Sequence, residues 1–178
     1  MDVGFIILCP DRNPGGLKNS VGSIAFHSYQ RESICVVGND ANDADIKMLG
    51  KHCPVVQGEE TLTSLINKGM KANKHEWGFI IFSGSRIPAF LERKIDYFAK
   101  SEKEVLYPVL DQQRTDFISG SFNGVMIHSK LFKEIGDFPS FKARKDGLND
   151  FELAKTFWAL DAITAGAKFK GIVGLRII

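Results

Sequence analysis

The sequence predicts an α/β fold, with a mostly parallel central sheet that carries helices on both faces. Two short apolar runs rich in strand-forming residues, VGFIILC (3–9) and WGFIIF (77–82), are typical of strands buried on both sides. Between such runs, apolar residues recur at the three- and four-residue spacing of helices. Strands that alternate with helices are joined by crossovers, which places them parallel in one sheet.

In the first half of the chain, four apolar runs predict strands and two periodic segments predict helices. The strands are VGFIILC, SICVVG, the shorter CPVVQ, and WGFIIF. Apolar residues from Leu17 to Ala25 and from Leu62 to Met70 line one face of each helix, and Thr61 or Ser64 lies near the start of the second. The acidic segment NDANDAD (39–45) lacks the glycine and distal glutamate of a calcium loop, so we predict a solvated turn there.

After WGFIIF, Pro88 suits the first turn of a helix whose apolar side runs from Phe90 to Phe98. The runs EVLYPV and FNGVMIH predict two further strands. Ser129 is expected to cap a short helix that Gly136 closes.

The basic, turn-rich segment PSFKARKDGLN (139–149) predicts a mobile loop. The last long helix is predicted to begin at Asn149, because Glu152 stands three residues on as in a capping box. It ends at Gly166, before the final strand KGIVGLRII.

Bulk composition predicts an ordinary globular protein with one domain over residues 1–178. A chain of this length buries roughly 70% of its unfolded surface. A net charge of +2 argues against nucleic acid or an anionic membrane as the partner. No apolar stretch approaches the roughly 18 residues of a membrane span, and the N-terminus does not resemble a secretory signal.

The three cysteines, Cys9, Cys35 and Cys53, form an odd set without CxxC spacing. A disulfide framework and a zinc site are therefore not indicated, and Cys9 and Cys35 are expected to be small buried residues. A reducing cytoplasm suits this composition. The sequence also lacks the P-loop, GxGxxG, GxSxG and HExxH patterns, and its four histidines have no ligand spacing.

What remains are polar segments that each follow a predicted strand: CPDRNPGG, GNDAND and SGSR, with GLND at the start of the last helix. In an open sheet such segments meet at the carboxyl edge, where ligands bind. This gathers one set of candidate residues: Asp11, Arg12, Asp40, Ser83, Ser85 and Arg86.

The order of these segments resembles that of GT-A glycosyltransferases, particularly the inverting enzymes of family 2. PDRN (10–13) matches the loop that opens such proteins, and Asp40, or else Asn39, matches the acidic residue that contacts the nucleotide base. INKGMKA (66–72) keeps the Asn, Gly and Ala of an RNxGxxxA pattern, with Ile where Arg is usual. The stretches FNGVMIHSKLFKEIGDFP and NDFELAKTFWALDAITAGAKF resemble the family's later patterns.

The resemblance implies a UDP- or GDP-sugar donor, whose sugar is transferred with inversion to a hydroxyl acceptor. It leaves open the identity of the acceptor and the oligomeric state. Asp150 matches the aspartate that acts as general base on the acceptor, although the helix dipole alone also favours an acidic residue there. Enzymes of this family usually carry further segments C-terminal to the fold, so this chain is expected to correspond to a minimal catalytic core. The implied nucleotide-sugar contacts are Pro10, Asp11, Arg12, Asp40, Lys68, Ser83, Ser85 and Arg86.

The family places an Asp-x-Asp pair after the fourth strand to hold Mn²⁺ or Mg²⁺, but this chain has Ser83-Gly84-Ser85. Neutral hydroxyls are poor ligands for such ions. Three alternatives follow. In the first, side-chain cations replace the metal, either Arg86 or Lys142, Arg144 and Lys145. In the second, a carboxylate from elsewhere, Asp40 or Asp111, holds the metal. In the third, the fold is a non-catalytic sugar- or nucleotide-binding or assembly module.

Overall fold

The structure is a computed structural model that describes residues 2–28, 32–89, 91–109, 116–141, 150–173, 175 and 177. Within these residues, seven strands form one sheet in the order β3-β2-β1-β4-β6-β5-β7. The elements are β1 (Val3–Leu8), α1 (Pro14–His27), β2 (Ser33–Gly38), α2 (Asp43–Leu49), β3 (Val55–Gly58), α3 (Leu62–Ala72), β4 (Trp77–Phe82), α4 (Leu91–Phe98), β5 (Glu104–Val109), β6 (Val125–His128), α5 (Ser129–Ile135), α6 (Asp150–Thr164) and β7 (Lys168–Val173).

The predicted fold class is confirmed, since the sheet is mostly parallel. β1 pairs in parallel with β2 and β4, and β5 pairs in parallel with β7. β6 lies antiparallel between β4 and β5, an orientation that the sequence did not indicate. Because β6 is antiparallel to both of its neighbours, β4 and β5 are parallel to each other. The six strands other than β6 therefore all point the same way, and their carboxyl ends lie at one edge of the sheet.

Helices cover both faces, as predicted. One core cluster joins the sheet to α1, α2 and α4 through residues such as Leu17, Leu49 and Ile95. The second joins the opposite face to α3, α5 and α6, and Trp158 is its largest fully buried side chain. Cys9, Cys35 and Cys53 are free and buried, and burial raises the pKa of Cys53 to about 11.

The INKGMKA segment lies on α3, where its pattern residues have structural roles. A Cβ on Gly69 would lie 2.3 Å from Cγ2 of Ile6, so only glycine lets α3 approach β1 this closely. Asn67 donates to the carbonyl of Phe138 at 2.9 Å and accepts from its N–H at 2.9 Å. Asn67 therefore holds the chain after α5 against α3.

The prediction of a solvated turn at NDANDAD is wrong, because α2 begins inside it. Asn42 caps this helix: its Oδ1 accepts from the Asp45 N–H at 3.0 Å, and Asp45 Oδ2 accepts from the Asn42 N–H at 3.2 Å. The acidic residues of the first turn also complement the helix dipole. Their function is therefore partly to start a helix.

Two predicted helix starts also differ. Pro88 precedes α4, which begins at Leu91, rather than lying in its first turn. His128, and not Ser129, caps α5, since its Nδ1 accepts from the Lys130 N–H at 3.2 Å. The Ser129 hydroxyl instead donates to the carbonyl of His75 at 2.7 Å.

The segment predicted to be a mobile loop has no regular structure at residues 139–141, and 142–149 lie outside the described residues. The predicted cap Asn149 falls in that part, and α6 is described from Asp150. β7 begins at Lys168, two residues before the predicted strand. No described helix has the length and apolar character needed to cross a membrane.

Candidate functional site

The candidate site is the edge of the sheet where the parallel strands end. Loops after β1, β2 and β4 lie there, together with the first turns of the helices that run back along the sheet. In open α/β sheets, this edge is where ligands bind. The predicted candidates on these loops therefore lie along one edge of the sheet.

Arg12 and Asp40 form an ion pair that joins the loop after β1 to the loop after β2. Nη2 of Arg12 lies 2.6 Å from Oδ2 of Asp40, and its Nη1 lies 3.8 Å from Oδ2 of Asp45. Arg12 has φ 53°, a left-handed conformation that is costly for a residue with a side chain. Strain of this kind is held in place by the surrounding structure, here by the ion pair with Asp40.

The rest of the loop after β1 is organised around the start of α1. Asn13 caps the helix, with Oδ1 accepting from the N–H groups of Gly15 at 3.0 Å and Gly16 at 3.2 Å. Asp11 is exposed, and its Oδ1 accepts from the Asn13 N–H at 3.4 Å. Pro10 is exposed beside it. Pro10, Asp11 and Arg12 thus present a polar surface in front of the sheet.

The loop after β4 is bonded tightly to β1 and α1. Ser83 N–H donates to the Leu8 carbonyl at 2.8 Å, and Gly84 N–H donates to the Gly16 carbonyl at 3.1 Å. The buried hydroxyl of Ser20 donates to the carbonyl of Ser85 at 2.8 Å. This loop is a packed turn with a fixed backbone.

Both serine side chains of this turn point into the protein. Ser83 Oγ is buried without a hydrogen-bond partner among the described residues, and a Cβ on Gly16 would lie 2.8 Å from it. Ser85 is 7% exposed, and its Oγ accepts from Nδ2 of Asn123 at 3.0 Å. The exposed part of the turn is Gly84, which has φ 92° and open space around a Cβ, and Arg86.

This arrangement does not fit a divalent metal at the turn. A hard cation needs several oxygen ligands, preferably carboxylates, yet one serine hydroxyl is buried and the other is bonded to Asn123. Across the described ranges, no three His, Cys, Asp or Glu side chains are grouped so that they hold a metal. Asp111, a candidate replacement ligand, lies outside those ranges.

Asp150 is the first residue of α6 and lines a pocket of about 240 Å³ between α6 and the start of α3. Thr61, Thr63 and Ser140, which carry hydroxyl groups, also line this pocket. Both helices begin at the carboxyl edge of the sheet, so Asp150 lies on the same side as the loops described above. Asp150 is therefore one of the described residues that border this space.

The remaining predicted residues lie on α3 or outside the described part of the chain. Lys68 is exposed on α3, beside the end of β3, where its Cβ lies 3.2 Å from the position of a Cβ on Gly58. The structure does not pair it with the loop after β4. The predicted cations Lys142, Arg144 and Lys145 belong to the undescribed part of the chain.

Sequence reasoning missed the side chains that shape the turn. Ser20 lies on the same helical face as Leu17 and Ile24, and a polar residue on a buried face signals a hydrogen bond to a neighbouring segment. Asn123 gave no comparable signal, because it precedes a short strand and bonds to residues about 40 positions earlier.

Comparison with solved structures shows that the chain has a GT-A-like glycosyltransferase fold. Residues 1–349 of TarS from S. aureus match with a TM-score of 0.64 and 14% identity, over 99% of this chain and 59% of that chain. The mannosyltransferase PcManGT from Pyrobaculum calidifontis, in complex with GDP-Man and Mn²⁺, matches with a TM-score of 0.68 and 13% identity, over 97% and 56%. A second TarS structure matches over 36% of its length.

The chain thus spans less than two thirds of the length of these solved structures. No protein-family model matches the sequence, and no curated protein matches it. At 13–14% identity, the likeness concerns the fold alone.

Proposed function

We propose that this chain, with its GT-A-like fold, is a glycosyltransferase that binds a nucleotide-diphospho-sugar and transfers the sugar to a hydroxyl acceptor with inversion. The observation that carries the proposal is the position of Asp150. It lies in the first turn of α6, at the carboxyl edge of the sheet, and lines a pocket whose described residues include Thr61, Thr63 and Ser140. Fold and site together favour sugar transfer.

In this proposal Asp150 is the general base. A hydroxyl attacks an anomeric carbon well only as its proton leaves, so a carboxylate must lie within hydrogen-bond reach of that proton. Attack from the side opposite the leaving diphosphate inverts the anomeric centre. The proton passes from the acceptor oxygen to Asp150 while the bond from the sugar to the diphosphate breaks.

The nucleoside of the donor would lie against the loops after β1 and β2. Asp40 and Asp11 offer carboxylate acceptors, and Arg12 offers donors in a fixed fork. Arg12 is only about one-third exposed and is already oriented by Asp40, so it requires little reordering on binding. Pro10 supplies a rigid apolar edge beside them, and Lys68 lies further out, at the end of β3.

The diphosphate would lie at the turn after β4, beside Gly84 and Arg86. Gly84 has no side chain and has open space beside it, so the turn leaves room for a diphosphate, although the Gly84 N–H already donates to Gly16 and Ser20. Arg86 is exposed and can engage phosphate oxygens with two parallel hydrogen bonds. We therefore propose that donor binding at this turn does not depend on Mn²⁺ or Mg²⁺, although a structural neighbour is in complex with Mn²⁺.

The inward direction of Ser83 and Ser85 also favours a second candidate function, a non-catalytic sugar- or nucleotide-binding or assembly module. A turn without carboxylates stabilises the departing diphosphate less than a metal site does. Such a module would bind nucleotide-sugars and release no nucleoside diphosphate in the presence of any acceptor.

The test is calorimetric titration of the purified protein with UDP, GDP, UDP-glucose and GDP-mannose, with Mn²⁺ and again with EDTA. Binding of one nucleotide-sugar in EDTA supports the proposal, and release of the nucleoside diphosphate with an acceptor separates the enzyme from the binding module. A ligand at 100 times its dissociation constant adds about 2.7 kcal/mol of stability, which a thermal shift detects. Absence of binding to all four ligands contradicts the transferase and the nucleotide-binding module, and favours an assembly role.

A further inference from the structure

A pocket outside the candidate site lies at the amino-terminal edge of the sheet. This amino-edge pocket has a volume of about 770 Å³, within the roughly 300–1,000 Å³ of sites that hold small molecules. The first residues of β1 and β2 line it, among them Phe5 and Ile34. Arg12 and Asp40 follow the opposite ends of the same two strands, so the length of the strands separates this pocket from the candidate site.

Apolar side chains from both faces of the sheet reach the amino-edge pocket. Val21 on α1 packs against the core cluster of one face, whereas Ile34 and Val56 pack against the core cluster of the other. These three side chains are half-buried, so the two cores leave part of their apolar surface uncovered. An apolar body that enters the pocket removes this surface from water, which is favourable. The apolar lining includes Phe5, Val21, Ile34, Cys53, Pro54 and Val56.

The polar wall of the amino-edge pocket is held in place by its own contacts. Nδ1 of His75 lies 2.6 Å from Oδ1 of Asp2, and its Nε2 lies 3.0 Å from Oε2 of Glu32. Nδ2 of Asn73 donates to the carbonyl of His75 at 3.1 Å. A Cβ on Gly4 would lie 2.5 Å from Cδ2 of His75, so this segment packs directly on β1. A wall that is ordered before binding lowers the entropic cost of binding against it.

Two lysines line the same side of the pocket, at the end of α3. Lys71 lies in the last turn of the helix and forms an exposed ion pair with Asp137. An exposed pair of this kind contributes little, so Lys71 can exchange its partner for a ligand. Lys74 is exposed and follows the end of α3 at Ala72. Its flexible stem lets the ammonium group reach an anionic group at the rim.

The acidic groups at the pocket do not cancel these cations. Glu32 carries the carboxylate among the described lining residues, and that carboxylate is bonded to His75. Residues 29–31, which precede it and lie outside the described ranges, have no acidic side chain in the sequence. The charge that the rim offers to a ligand is therefore positive.

We infer that the amino-edge pocket binds a small organic anion, whose apolar body lies against Val21 and Ile34 and whose anionic group pairs with Lys74. This second site does not depend on the proposed function, because its described lining residues do not belong to the loops after β1, β2 and β4.

The test uses 8-anilinonaphthalene-1-sulfonate (ANS), an apolar ring system with one sulfonate, which becomes fluorescent in apolar surroundings. We expect saturable binding of one ANS molecule per folded chain. The competitors are 1-naphthoate and 1-naphthylmethylammonium, which share a ring system and differ in the sign of their charge. The anion should displace ANS at a concentration about threefold lower than the cation, the scale of one exposed ion pair. Absence of saturable binding, or equal displacement by the two competitors, overturns the inference.

Matched variants locate the binding. Lys74→Ala should weaken ANS binding about threefold and make the two competitors equal, whereas Lys74→Arg should retain both properties. Ala72→Phe, which fills the pocket at the end of α3, should weaken ANS binding without removing a charge. Phe157→Ala is the control for ANS on exposed apolar surface, since Phe157 is 48% exposed on α6.

Loss of ANS binding in Phe157→Ala, with none in Lys74→Ala, places the probe on α6 and overturns the assignment. A ¹H–¹⁵N spectrum of each variant shows whether it is folded. Because Lys74 is exposed, its two variants keep the test decisive if Ala72→Phe does not fold.

Nucleotides separate this site from the proposed donor site. UDP, GDP, UDP-glucose and GDP-mannose should leave bound ANS in place, because the two sites lie at opposite ends of the strands. Displacement of ANS by any of them as strong as that by 1-naphthoate places the probe at the donor site and overturns the inference. If ANS binds as expected but no nucleotide-sugar binds, the inference stands while the proposed transferase function fails.

Discussion

Asn123 accepts the N–H of Phe82 at 3.0 Å through Oδ1 and donates to the Ser85 hydroxyl at 3.0 Å through Nδ2. One side chain from the turn before β6 therefore bonds to the last residue of β4 and fixes the turn that follows β4. The same turn is held on its other side by Ser20 of α1. Its serines thus serve the fold, and what the turn offers to a phosphate is the cation of Arg86, with open space beside Gly84.

Replacement of Asn123 by alanine should lower the free energy of unfolding by about 1–3 kcal/mol, because two polar groups in a packed turn lose their partners. Urea denaturation measures the change. Asn19→Ala is the matched control, since Asn19 is exposed on α1. A loss below about 0.5 kcal/mol, the range of ordinary surface substitutions, would contradict this structural role for Asn123.

Arg86→Ala should weaken binding of the nucleotide-sugar by about 1.5–3 kcal/mol, the scale of one charge-assisted hydrogen bond. The same affinity is expected in Mn²⁺ and in EDTA, because the turn offers no carboxylates. Calorimetry measures both quantities. Lys133→Ala, which removes an exposed cation from α5, should leave the affinity unchanged. Unchanged affinity in Arg86→Ala, or loss of binding in EDTA, would remove Arg86 as the replacement for a metal.

The sequence predicts the fold class well because most strands are continuous apolar runs, and such runs are easy to recognise. It does not predict the direction of β6, since VMIH buries all four side chains and reads the same in either orientation. It also misses α2, which buries only Leu49 and so has little apolar periodicity. The sequence signal for this helix is the capping box of Asn42 and Asp45, which lies within an acidic segment.

For the candidate site, too, the sequence predicts one part and misses another. The sequence places Asp40, Arg12 and the turn after β4 at one edge because each follows a strand, and local order determines that much. It does not predict that Ser83 and Ser85 point inward. That direction depends on the close approach of Gly16 and on Asn123, which are distant in the chain and become neighbours only in the folded sheet.

His75 provides a prediction of pH-dependent stability at the opposite, amino-terminal edge of the sheet. Its Nδ1 lies 2.6 Å from Oδ1 of Asp2, and its Nε2 lies 3.0 Å from Oε2 of Glu32. Partial burial lowers the pKa of His75, but the hydrogen bonds and charges of the two carboxylates outweigh it, so the pKa is raised above 6.5. Both ring nitrogens can donate at once only in the protonated form.

Because the pKa is higher in the folded state, the stabilisation is fully present below about pH 6.5 and is lost as the pH rises through the folded pKa. His75→Gln should therefore destabilise the protein more at pH 5.5 than at pH 8.5, as measured by urea denaturation. The Asp2 carboxyl has its pKa lowered, chiefly by the hydrogen bond with His75, so it stays charged across this window. His27→Gln is the control, because the ring of His27 packs against Phe26. An equal loss at both pH values would show that the histidine contributes by packing alone.

Asp150→Asn should leave donor binding intact and abolish transfer, because an amide of the same shape keeps the packing of the first turn of α6 but cannot accept a proton. Asp161→Asn is the matched control, since Asp161 is exposed on the same helix three turns further on. Calorimetry with the nucleotide-sugar and an assay for released nucleoside diphosphate separate the two effects. Loss of transfer with unchanged affinity assigns the base to Asp150. Equal transfer in both variants would leave the first-turn aspartate with only a helix-dipole role, and a parallel loss of binding and transfer would show that it positions the donor instead.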